Sequence, residues 1–208
     1  MANCAAGADV TRVWDPGIRV FHWLMVAAVT IALVSGLFGP RNLLNIHIAA
    51  GAAIGGLVVF RVVWGLTGST YARFSSFPVH FTAINADLAG LVAGRRPRYR
   101  GHNPLGSLMV LALLAVIFLS VITGVITLGG VGKQGPLAFV APYVAGKAAQ
   151  RVHLALAYAL LALIAGHLLG VAYESIQAGA NLPLAMITGK KAASSVDHAV
   201  RPVPSTMR

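Results

Sequence analysis

Four histidines fall in or beside long apolar stretches of this chain: His22, His47, His153 and His167. His153 and His167 lie 14 residues apart within one apolar run. On an α-helix that interval separates them by about 21 Å and keeps them within roughly 40° of one face, so both imidazoles point the same way, one near each side of a membrane. Neutral imidazole is a strong ligand for haem iron, and such a helix can supply half of the axial ligation of two stacked haems. The other half must come from elsewhere in the chain.

His22 and Gly36 repeat the interval of 14, as do His47 and Arg61. With successive helices antiparallel, His22 and His167 reach one level, the inner, and His47 and His153 the other, the outer. Depth alone pairs them, giving each level two imidazoles on different helices, the number a six-coordinate haem takes. Each histidine has a plainer explanation by itself; His22, for one, sits where an interfacial side chain meets water. Polar groups inside a bilayer are costly unless partnered, however, and two matched pairs are hard to obtain by accident. Zinc would want three or four ligands converging on one point, whereas these split into twos about 20 Å apart. A proton path through the histidines lacks an intramembrane acid to join them, Glu174 lying at the inner end of its helix.

Helices must position these groups, and the composition says in what medium. Of 208 residues 57% are hydrophobic and 10% charged, and the mean hydropathy is +0.78, which is not the profile of a soluble domain. Four stretches are long enough to cross about 30 Å of hydrocarbon as helices: Val20 to Phe38, Leu43 to Leu66, Ser107 to Leu128 and Val152 to Ile176. The expected fold class is all-α, an integral membrane four-helix bundle. It divides into a disordered cytoplasmic lead (1–13), the bundle (14–178) and a basic cytoplasmic tail (179–208).

The net charge of +11 does not indicate nucleic acid, because the basic residues flank apolar helices and form no groove interleaved with aromatics. They report orientation instead. With the amino terminus cytoplasmic, the inside holds Arg12, Arg19, Arg61, Arg73, Arg95, Arg96, Arg98, Arg100, Lys190, Lys191, Arg201 and Arg208; the outside holds only Arg41, Lys133, Lys147 and Arg151. That bias satisfies the positive-inside rule, with both termini cytoplasmic and a long cytoplasmic loop between the second and third helices. Met1 to Val10 lacks the pattern of a cleaved signal. The single cysteine, Cys4, and the lack of a Cys-x-x-Cys-His run leave any haem non-covalently held.

Further residues carry paired expectations. Trp14-Asp15-Pro16-Gly17 offers a headgroup-level aromatic, a capping carboxylate and a helix-starting proline. Gly36 leaves room for a flat ring or for ordinary helix packing, and Gly51 and Gly55 form either a helix-dimer seam or a smooth face for a porphyrin. Gly39-Pro40 makes a tight outer turn. Arg61 either snorkels to the interface or pairs with a haem propionate. Between the second and third helices, Ile84, Leu88, Leu91 and Val92 predict a short amphipathic helix on the membrane surface. The Arg95-Arg96-Pro97-Arg98-Tyr99-Arg100 cluster anchors topology on anionic lipid or docks an acidic partner, and His80 is solvated. His102 and Asn103 lie at the inner interface with hydrogen-bonding groups for a quinone carbonyl, or Asn103 simply caps the third helix. That helix has no histidine or charge from Ser107 to Leu128 and reads as a packing wall. An apolar piece, Leu137 to Val144, lies at the outer interface. Lys147, Gln150 and Arg151 neutralise propionates of an outer haem or snorkel. Residues 189–208, His198 included, form a mobile end.

Taken together, Trp14-Asp15-Pro16 with Arg19-x-x-His22-Trp23, Asn45-Ile46-His47 with Arg61-x-x-Trp64-Gly65, Tyr71-Ala72-Arg73-Phe74, Arg98-Tyr99-Arg100-Gly101-His102-Asn103-Pro104, and His153 with His167 resemble the bacterial cytochrome b561 and nickel-hydrogenase-type cytochrome b proteins over roughly Val13 to Ile176. The resemblance implies a four-helix protein of the bacterial inner membrane with two haems b, paired as depth pairs the histidines, that moves electrons between quinone and a redox partner. Similar cytochrome b subunits of formate dehydrogenases place an asparagine by the inner haem and quinone, and Asn103 matches it; there the motif runs Asn-x-Gly, here Asn103-Pro104-Leu105-Gly106. The partner expected is a c-type cytochrome or a dehydrogenase or hydrogenase subunit. Two other functions compete: a superoxide:quinone oxidoreductase that draws its anion to Lys133, Lys147 and Arg151 without a protein partner, and a haem-free membrane scaffold or transporter.

Overall fold

The computed structural model of the chain describes residues 10–12, 15–69, 72–93, 103–178 and 181–192. Trp14, Tyr71, the Arg95 to Arg100 cluster, His102 and His198 lie outside the described residues. Four long helices dominate: α1 (Pro16–Leu37), α2 (Leu44–Thr67), α4 (Pro104–Gly130) and α5 (Tyr143–Ala178). All four are long and apolar enough to cross a membrane, at about 1.5 Å of rise per residue. The helices begin where the sequence supplies caps. Asp15 accepts the Ile18 N–H at 2.9 Å, with Pro16 in the first turn of α1. Asn103 does the same for Gly106 at 2.5 Å, with Pro104 opening α4. A side-chain oxygen satisfies one orphan donor, and proline forfeits an N–H that the first turn never uses.

The bundle consists of two antiparallel hairpins, α1 with α2 and α4 with α5, joined chiefly where α2 meets α4. Between the two histidine levels the hairpins close on an aliphatic layer. Val29 of α1, Ile54 of α2, Ile117 of α4 and Leu160 of α5 are all buried in one cluster, with Phe21, Met25 and Val58 beside them. Leu160 lies seven residues from both His153 and His167, Ile54 seven from His47, and Val29 seven from His22. Seven residues are nearly two turns, so each helix turns the same face to the layer and to the histidine levels.

A shorter helix, α3 (Phe81–Val92), lies in the connection between the hairpins, where an amphipathic helix was expected. It leaves Leu88 exposed and buries Asp87 completely. The Asp87 carboxylate faces the Leu105 N–H at 3.3 Å, seating α3 on the start of α4.

Two expectations about the chain ends need correction. Val10–Arg12, placed by sequence in a disordered lead, pairs antiparallel with Lys190–Ala192, placed in a mobile tail. Before that second strand runs α6 (Leu182–Thr188), capped by Asn181 and closed by Gly189 at φ 77°, a left-handed turn that glycine adopts without a Cβ clash. A third difference concerns α5, which starts nine residues before Val152 and carries Lys147, Gln150 and Arg151 within its first turns. Ala145, Lys147, Ala148, Ala149, Gln150 and Arg151 are good helix formers that outweigh Gly146 and that an apolarity criterion overlooks.

Candidate functional site

His47 on α2 and His153 on α5 face each other with ring centroids 5.9 Å apart and planes at 87°. Each ring is fixed from behind. His47 Nδ1 lies 2.9 Å from the Ala32 carbonyl of α1, and His153 Nδ1 lies 2.9 Å from the Ser120 carbonyl of α4. A backbone carbonyl only accepts, so Nδ1 carries the proton in both rings and Nε2 is left unprotonated, the form that binds a metal. Two metal–imidazole bonds of about 2 Å plus the ring radii separate axial imidazoles by about 6 Å, which the observed spacing fits.

Glycines admit these rings. A Cβ at Gly36 would stand 2.7 Å from His47 Cε1, and one at Gly124 would stand 3.2 Å from His153 Cε1. Gly36 was expected to leave room for a flat ring held by other helices or to pack helices; what it admits is the imidazole itself. The expected packing wall, α4, also does more, since it supplies the Ser120 carbonyl, Gly124 and the Thr123 hydroxyl, 3.1 Å from His153 Nδ1. Sequence reasoning missed Ala32, Ser120, Thr123 and Gly124. The Ser120-x-x-Thr123-Gly124 interruption of an apolar helix was the available signal. Of the other glycines, Gly55 meets Val121 at 3.4 Å and Gly51 meets nothing within 4 Å.

At the other end His22 on α1 and His167 on α5 are near enough to interact electrostatically. Among the described residues His22 Nδ1 is buried without a hydrogen-bond partner, and its ring meets Trp23 edge-on at 5.3 Å. His47 and His153 thus meet at one end of the bundle, His22 and His167 lie towards the other, and α5 carries one ring of each couple.

Polar side chains gather at this end of the bundle. Arg61, for which snorkelling and propionate pairing stood open, does not snorkel: it is 4% exposed. Its guanidinium carbon sits 4.5 Å from the Phe74 ring centre, a cation–π distance. Its Nη1 is buried with no partner among the described residues. Asp15 attracts it and is itself held by Ser69 Oγ, by Trp64 Nε1 at 3.4 Å and by the Ile18 N–H. Burial pushes the Asp15 carboxyl up, but the hydrogen bonds from Ser69, Ile18, Trp64 and Gly17 outweigh it and hold the group below its ordinary value. Gly65 lets Phe74 approach, since a Cβ there would meet the ring at 2.2 Å. Arg19 donates to the Ile187 carbonyl, tying α6 to α1.

Asn103 has the capping role set out as an alternative to quinone binding, and its Nδ2 also donates to Glu174 Oε1 of α5 at 2.9 Å. Arg151 is exposed two residues before His153, and Lys147 donates to Gln150 Oε1 at 2.8 Å. Among the described residues no three His, Cys, Asp or Glu side chains converge on one point.

Opposed imidazoles inside an apolar helical bundle point to a class, the helical membrane proteins that hold planar iron cofactors between their helices. The family model described as prokaryotic cytochrome b561 matches residues 13–189, and the chain belongs to that family. It is accordingly a multi-pass membrane protein of a haem b family. A probable Ni/Fe-hydrogenase B-type cytochrome subunit of Azotobacter vinelandii is 27% identical over 147 residues, which are 59% of this chain and 61% of that protein. The chain thus spans about three fifths of the length of that curated relative. No solved structure matches it.

The residues present fit haem b. Opposed imidazoles with proton-free Nε2 atoms are the donor set for a six-coordinate iron, and the orphaned Arg61 Nη1 is a buried donor for an anionic propionate.

Proposed function

We propose that this protein carries electrons across the bacterial inner membrane through two non-covalently bound haems b, one by each leaflet, between the quinone pool and a redox partner. His47 and His153 hold the outer group and His22 and His167 the inner. The observation that carries this reading is the His47/His153 pair, 5.9 Å apart with both Nδ1 atoms turned to carbonyls. When bound, haem b supplies a one-electron couple.

The chain's own groups position and insulate. The Ala32 and Ser120 carbonyls fix the tautomer and tilt of the outer imidazoles. Arg61 presents its free Nη1 to a propionate on the inner side, and Arg151 offers an exposed cation on the outer. The aliphatic layer of Val29, Ile54, Ile117 and Leu160 keeps water from between the two levels. Asn103, with one amide hydrogen bonded to Glu174, and His102 are the groups proposed to meet a quinone carbonyl at the inner interface. The naming of the relative as a hydrogenase cytochrome subunit favours a hydrogenase or other dehydrogenase subunit as partner, ahead of a c-type cytochrome. Cytoplasmic termini follow from the bias of basic residues, and residues 14–178 form the cofactor-binding unit.

Pyridine-haemochrome quantitation with reduced-minus-oxidised spectra tests this. The purified protein is expected to bind two haems b, and His47→Ala and His167→Ala each to retain about one. Unchanged haem content in both variants overturns the assignment.

A further inference from the structure

An imidazole that binds iron through Nε2 transmits what happens at Nδ1. An acceptor pulling on the Nδ1 proton makes the ring a stronger donor, which favours the ferric state and lowers the reduction potential. The two pairs differ sharply in this respect. His47 Nδ1 has the Ala32 carbonyl at 2.9 Å. His153 Nδ1 has two acceptors, the Ser120 carbonyl at 2.9 Å and Thr123 Oγ1 at 3.1 Å. The Thr123 hydroxyl can donate to the Leu119 carbonyl at 2.8 Å or the Ser120 carbonyl at 3.1 Å, and with its proton on either one it offers the imidazole a lone pair. At the other end, among the described residues, His22 Nδ1 is buried with no partner and His167 makes no hydrogen bond.

We propose that this asymmetry sets the two iron potentials apart, the His47/His153 site lower and the His22/His167 site higher, and that Thr123 is a positioning residue that tunes the lower one through His153. The inference rests on the two-haem function proposed above. It assigns the tuning to a single hydroxyl in an otherwise apolar stretch of α4.

Optical redox titration of the purified holoprotein tests it. Two one-electron components are expected; His47→Ala should keep the higher and His167→Ala the lower. Thr123→Val removes the hydroxyl with little change in shape and should raise the equilibrium constant for reducing the lower component about threefold to tenfold, tenfold being about 59 mV. The higher component should stay in place, and Thr123→Ser should restore the lower. Retention of the lower component by His47→Ala overturns the inference, as does a Thr123→Val protein in which neither component, or only the higher, moves. Full haem content in both histidine variants is a separate outcome: it removes the two-haem function and the inference with it.

Discussion

At the His47/His153 end the rings are held by backbone. Carbonyls of Ala32 and Ser120 take the Nδ1 protons, and Gly36 and Gly124 clear the space behind. At the His22/His167 end His22 Nδ1 has no partner among the described residues, and side chains there hold one another instead: Arg61 against Phe74, Asp15 bridging Trp64 and Ser69, and Asn103 on Glu174. One end is fixed by how closely helices approach, the other by a web of longer side chains. The first should fail abruptly when backbone spacing changes, and the second by degrees as contacts are removed.

The largest break in that contrast should come from Gly36→Leu. A Cβ at 2.7 Å from His47 forces the ring off its carbonyl, and haem content should fall to about half while the other site keeps its spectrum. At the opposite end, Gly65→Val drives Phe74 away from Arg61. Overpacking of this kind costs about 1–3 kcal/mol, seen as a lower unfolding temperature in detergent with both haems still bound. Loss of the α1 cap in Asp15→Ala should cost about 1 kcal/mol in the same assay.

Asp15 adds a pH signature. Its folded carboxyl titrates below the ordinary value, so its contribution is complete above the ordinary carboxylate range and drains away as pH falls through the lower folded value. Asp15→Asn should flatten that acid-side loss; an unchanged slope in thermal unfolding against pH would show that the carboxylate is not responsible. Smallest of all, Lys147→Ala, which breaks only an exposed bond to Gln150, should move stability by less than about 0.5 kcal/mol.

Much of this was legible because helical periodicity is rigid. An interval of 14 along His153 and His167, echoed by His22 with Gly36 and His47 with Arg61, fixes depth and face before any contact is known. What stayed hidden depends on neighbours distant in sequence. That Arg61 is buried depends on Phe74 reaching it across Gly65, and that His153 has a second acceptor depends on the register of α4 against α5. Composition could not show the ribbon of Val10–Arg12 with Lys190–Ala192, because a three-residue strand carries no periodicity of its own and is defined only by its partner.

The aliphatic layer at mid-bundle has an electrical consequence. Val29, Ile54, Ile117 and Leu160 offer a proton neither donor nor acceptor, so this layer itself passes no hydrogen ion. Charge exchanged between the two ends would move unaccompanied, and each such transfer across a polarised bilayer does work against the membrane voltage or draws on it, about 2.3 kcal/mol per 100 mV for a full crossing.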